Sequence, residues 1–132
     1  MRTAVMIGAL ALAGCAANAE PQSKAQQRAA GELAKALDGR VAGSPQDCIS
    51  AMGTDGPQII DRRTMLYRQG RKVWRNDLPE SCPGMDDDAL LIVEIWGSQL
   101  CRNDRFRAQE RTSMIRGPSC RLGKFTPYVK AR

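Results

Sequence analysis

Four cysteines, Cys48, Cys82, Cys101 and Cys120, are spread over the later part of this 132-residue chain, no two closer than 19 positions. Zinc chelation usually draws on thiol pairs two to four residues apart, often joined by imidazoles. Here no such pair exists and the chain has no histidine. The C-x-x-C spacing of thiol-redox sites is missing too. An even set of distant cysteines in a small chain reads instead as two cross-links, each closing a long loop and contributing about 3 kcal/mol. Four cysteines permit three connectivities. Cys82 with Cys101 and Cys48 with Cys120 is the preferred pairing, because the second bridge would tie the domain's first strand to its last.

Cross-links need an oxidising compartment, and the N-terminus carries a matching address. Met1-Arg2-Thr3 is a short cationic start, Ala4 to Ala13 is an unbroken apolar or glycine stretch, and small residues follow. At about ten residues the stretch is too short to span a bilayer. Leu12-Ala13-Gly14-Cys15 resembles the lipobox of bacterial lipoproteins, which implies cleavage before Cys15 and acylation of its thiol. Ala16 in the next position, where an aspartate would favour inner-membrane retention, implies the outer membrane facing the periplasm. Ordinary secretion is the alternative, with cleavage after Ala19 and a soluble product. The expected division is a leader over 1–14, a lipidated N-terminus with tether and short helix over 15–47, and a disulfide-bonded domain over 48–132.

Composition supports the division. Residues 16–47 hold nine alanines and no aromatic, whereas all six aromatics lie between Tyr67 and Tyr128. Between Lys24 and Asp38, Ala25, Ala29, Leu33, Ala36 and Leu37 recur at helical spacing and Gly39 stands where a helix would end. A short amphipathic helix is expected there, against a disordered alanine-rich stalk as the alternative.

From Cys48 the pattern turns to strands. Gln58–Asp61, Thr64–Arg68 and Lys72–Asn76 are short β-prone runs, the last two separated by a glycine-bearing gap that reads as a hairpin. Leu78 to Gly84 holds two prolines and a glycine and is expected to be a pinned loop. Leu90–Trp96 is apolar on both faces except at Glu94, so it reads as the central buried strand, with a helix after Asp86-Asp87-Asp88 as the alternative. Arg105–Gln109 alternates, with Phe106 and Ala108 inward and the arginines outward. Cys120–Thr126 is expected to close the fold. The whole predicts a mainly β, antiparallel sandwich or barrel-like domain of five or six short strands behind one helix.

Chemistry is harder to find. Without histidine, Ser-His-Asp and Cys-His catalysis are excluded within this chain. Asp86-Asp87-Asp88 lacks the alternating acids and distant glutamate of a calcium loop and reads as a solvated turn. Asp55, Asp61 and Glu94 could serve as a glycosidase-type acid pair only if the fold set two of them at the right separation. No cofactor and no metal is expected.

Charge is the remaining signal. Lys and Arg number 20 against 14 Asp and Glu, a net +6, and the excess gathers in Arg102, Arg105, Arg107, Arg111, Arg116, Arg121 and Lys124. Arg105 and Arg107 share one face of a strand. With Arg121 they form a candidate contact for an anionic surface, unless local acids neutralise them. Nucleic acid is not an expected partner, since no recognised binding motif is present.

Asp47-Cys48-Ile49, Asp61 to Arg68, Leu78-Pro79 with Cys82-Pro83-Gly84, Gln99 to Asp104, and Cys120 to Phe125 together resemble a family of small uncharacterised bacterial envelope proteins, frequently lipoproteins, over roughly residues 28–128. The resemblance implies a secreted, disulfide-bonded, mainly β domain and brings no catalytic residues. The expectation is a non-enzymatic envelope lipoprotein held to the membrane through Cys15, its basic face meeting an anionic envelope component or an envelope protein. A small cell-wall hydrolase, or an inhibitor of one, is the alternative.

Overall fold

The computed structural model describes residues 21–132. The leader 1–14, Cys15 and the alternative cleavage site at Ala19 lie outside the described residues.

Helix α1 (Lys24–Leu37) begins at a reciprocal cap: the Ser23 hydroxyl accepts from the Gln26 amide and the Gln26 side chain accepts from the Ser23 amide. Past its end, Gly39 takes φ +64°, a left-handed turn suited to a residue without Cβ. The chain then enters β1 (Arg40–Ala42), β2 (Cys48–Ser50), β3 (Gln58–Ile59), β4 (Thr64–Gln69) and β5 (Lys72–Asp77). After a long loop come β6 (Leu90–Val93), β7 (Gln99–Cys101), β8 (Arg105–Gln109), β9 (Arg116–Arg121) and β10 (Phe125–Lys130). The expectation of a mainly β fold holds, with ten strands among the described residues in place of five or six. They form three antiparallel sheets, ordered β1-β10-β5-β4-β3, β2-β7 and β6-β8-β9, and no closed barrel.

The hairpin is as read: β4 and β5 pair from Thr64 with Asp77 to Gln69 with Lys72 around Gly70. Its alternation explains the layering. Met65, Tyr67 and Trp74 face one way into the main core with Ile49, Leu100, Phe106, Leu122 and Phe125. Leu66 and Val73 face the other way and, with Ile60, receive Ala29, Leu33, Ala36 and Leu37 of the helix. Because both faces are covered, Thr64 to Tyr67 is buried without a break. Residues 24–42 thus pack as part of this unit, and β1 pairs with β10 from Arg40 opposite Lys130 to Ala42 opposite Tyr128. Position 48 therefore marks no break in the packing.

Three expectations are corrected. The bridges join Cys48 to Cys101 and Cys82 to Cys120, not Cys48 to Cys120 and Cys82 to Cys101. The cause is strand pairing: β2 runs against β7 with Cys48 directly opposite Cys101, while the 78–89 loop carries Cys82, fully buried, to β9. Leu90–Trp96 is not the central strand. Only Leu90–Val93 is extended, at the edge of its sheet, with Ile92, Ile95 and Trp96 exposed. Finally, Cys120–Thr126 is two strands, not one, interrupted at Leu122-Gly123-Lys124.

That interruption is held by a buried clamp. Asn76 of β5, fully buried, donates from Nδ2 to the Gly123 carbonyl and accepts from the Gly123 amide at Oδ1, both at 2.8 Å. Gly123 is required by proximity: a Cβ built there would stand 1.9 Å from the Asp77 carbonyl oxygen. The side-chain amide satisfies a backbone position that the broken ladder leaves unpaired.

Candidate functional site

The β6-β8-β9 sheet turns one face to the core and one to solvent. Phe106 and Ala108 point inward, and Leu91 and Val93 pack against the same core. Arg105 and Arg107 alternate outward and are exposed, as the sequence pattern predicts. In register, Arg105 lies directly opposite Arg121 and Arg107 opposite Ser119 on β9, while Ile92 of β6 lies opposite Arg107. The structure thus brings Arg105, Arg107 and Arg121 onto one surface.

Some of the cations grouped with them in the sequence have local partners. Arg102 and Lys124 approach Asp47 at 3.4 Å and 3.9 Å, and Arg111 donates to the Asp88 carbonyl. Arg107 donates weakly to the Gly117 carbonyl at 3.3 Å. Among the described residues, none of Arg105, Arg107 and Arg121 takes part in an ion pair. Like charges directly opposite on adjacent strands oppose folding. The chain nevertheless keeps two, with a third one pleat along.

Beside this face is a feature that the sequence reading missed. After β6 the chain passes Glu94, whose amide donates to the Arg105 carbonyl, and reaches Ile95 and Trp96 before turning at Gly97. Trp96 is 89% exposed. The ladder of β2 and β7 extends one step further through the Ala51 amide and the Ser98 carbonyl, so Met52, also exposed, comes to the same end. Glycine at 97 is a visible turn signal, but the apolar run before it reads as core from composition.

Other candidates resolve plainly. Asp86 pairs with Arg62 and Asp87 with Arg28 of α1; the Arg28 guanidinium holds the Asp87 carboxyl below its ordinary range by hydrogen bond and charge. Asp87 thus meets α1, while Asp86 meets the turn that precedes β4. No cluster of three or more metal-ligating side chains occurs among the described residues. Asp55 and Asp61 stand at opposite ends of β4, the first bonded through its amide to the Arg68 carbonyl and the second just before Thr64, while Glu94 lies past the end of β6 in a different sheet's strand order. A groove of about 640 Å³ runs between α1 and the large sheet, floored by Ala29, Leu33, Ile60 and Met85. Its arginines already have partners, Arg28 and Arg62 on the two aspartates and Arg63 on the Leu78 and Pro79 carbonyls. No helix among the described residues is long and apolar enough to cross a membrane.

A protein family described as a family of unknown function, DUF6491, matches the chain over residues 1–131. No curated protein and no solved structure matches it.

Proposed function

The chain belongs to the family of unknown function DUF6491, and from that premise we propose that it is a non-enzymatic envelope lipoprotein whose β domain binds an anionic envelope component through Arg105, Arg107 and Arg121. One observation carries this reading: the direct opposition of Arg105 and Arg121 on an exposed sheet face, beside Arg107, with no acidic partner among the described residues. A bound anion turns that repulsion into shared attraction, since guanidinium forks match carboxylate and phosphate oxygens.

The anchor half rests on Leu12-Ala13-Gly14-Cys15 behind the apolar stretch, and on two disulfides that suit an oxidising compartment. Acylation at Cys15 would tether the domain to the outer membrane on its periplasmic side, and more than one acyl chain makes such a hold durable. Intact mass of the membrane fraction, before and after reduction, reads acylation and bridge number together; an unmodified Cys15 thiol would refute the anchor.

Crosslinking in intact cells, followed by recovery at low and high salt, tests the binding face. Arg105→Glu with Arg107→Glu should abolish the salt-sensitive fraction, and unchanged recovery would refute the role of the arginines.

A further inference from the structure

Resting on that reading of the basic face, we propose that its partner is the anionic bilayer surface itself, with the tip formed by Met52, Ile95 and Trp96 seated in the headgroup layer and Arg105, Arg107 and Arg121 on lipid phosphates.

The topology places these groups together. β6 runs antiparallel to β8 with Val93 opposite Phe106, so Glu94 meets the first residue of β8 and Trp96 projects past that end of the sheet. Arg105 begins β8 and Arg121 ends β9 at this same end. The Ala51 to Ser98 hydrogen bond brings Met52 alongside. Three exposed apolar side chains therefore border a row of cations that form no ion pair among the described residues. The acid nearest in register is Glu94, which forms no ion pair.

Shape and chemistry favour a membrane over a protein partner. Met52, Ile95 and Trp96 line none of four surface cavities of about 320 to 640 Å³ among the described residues; they stand exposed on loop ends, and a projecting tip suits a soft layer. Tryptophan, apolar in body and polar at its indole N–H, settles at the depth where hydrocarbon gives way to headgroups. Flanking arginines supply attraction to an anionic leaflet, each strengthening the contact about fivefold near the surface.

The two tryptophans make the test internal. Trp74 is buried, with Nε1 donating to Gln69 Oε1 at 3.1 Å, whereas Trp96 is exposed. The purified full chain is reconstituted in vesicles of phosphatidylcholine alone, or of phosphatidylcholine with phosphatidylglycerol, each containing acyl-brominated lipid as quencher. The expected result is quenching of tryptophan emission in the anionic vesicles only. It should disappear in Trp96→Phe, fall with added salt, and fall in Arg121→Gln as the ratio of seated to free tip drops about fivefold. Equal quenching in both vesicle types overturns the role of the arginines at the membrane. Absence of Trp96 quenching in anionic vesicles overturns the inference; if recovery from cells then still depends on Arg105 and Arg107, the binding face stands and its partner is a macromolecule. Loss of both results removes the two readings together.

Discussion

The clamp between Asn76 and Gly123 offers the sharpest test of how this fold is held. Replacing Asn76 by Asp keeps the shape and changes one atom's chemistry. As an acid, the new side chain can still donate to the Gly123 carbonyl and accept from the Gly123 amide. Once ionised it can only accept, and one oxygen faces the Gly123 carbonyl oxygen at a position that is 2.8 Å from it now, in a site with no exposure. Burial and this opposition both favour the neutral form, so the folded pKa lies above the unfolded value of about 3.9. With the folded value raised, stability is fully present below about pH 4 and is lost as pH rises towards the folded pKa, by about 1.4 kcal/mol per pH unit. A folded pKa near 7, which burial of this completeness can produce, sets a loss of about 4 kcal/mol by neutral pH. Asn76→Ala instead leaves both Gly123 groups unpaired at every pH, a penalty of about 2 to 6 kcal/mol. Urea unfolding followed through Trp74 at pH 3 and pH 7, each variant referred to the native protein at the same pH, separates the two. If the gap between Asn76→Asp and the native protein is the same at both pH values, the reasoning fails.

Arg121→Glu should place opposite charges across from Arg105 and raise stability by about 0.5 kcal/mol while weakening anion binding; a denaturation midpoint that falls would contradict the assigned register. Tyr67→Phe removes a buried hydroxyl without a hydrogen-bond partner and should leave stability unchanged or raise it by about 1 kcal/mol, read as the shift in thermal midpoint. Peptide mapping without reduction should recover Cys48 linked to Cys101 and Cys82 to Cys120. Loss of either bridge should lower stability by about 4 kcal/mol, on loops spanning 53 and 38 positions. Gly123→Ala should be among the most destabilising single changes, since the added carbon has no space beside Asp77, and a variant with native stability would show that the chain relaxes there freely.

What the sequence disclosed was local. The β4–β5 hairpin, the outward alternation of Arg105 and Arg107, and a helix ending before Gly39 each follow from spacing within about fifteen residues, and each stands in the structure. What it concealed depends on partners far along the chain. The Cys48 to Cys101 bridge follows from β2 lying against β7, and no pattern in either three-residue strand announces that. The run from Leu90 to Trp96 reads as core because apolar composition does not tell a central strand from an edge that continues into an exposed tip. Arg121 is named with these arginines in the sequence, but its position directly across from Arg105 follows only from the register of β9 on β8. Its place opposite Arg105, the observation on which the functional reading turns, is a non-local fact.

Among the described residues the covalent bridges lie within 48–120, while α1 and β1 are fastened by packing, by hydrogen bonds to the last strand, and by the exposed contacts of Arg28 with Asp87 and of Arg40 with the Arg71 carbonyl. If the protein is moored by its N-terminus, tension arrives first at this unbridged layer. Peeling it away would release roughly 80 Å of extended chain from residues 24–47 and leave the cross-linked remainder intact, giving the molecule a yield point ahead of its strongest part.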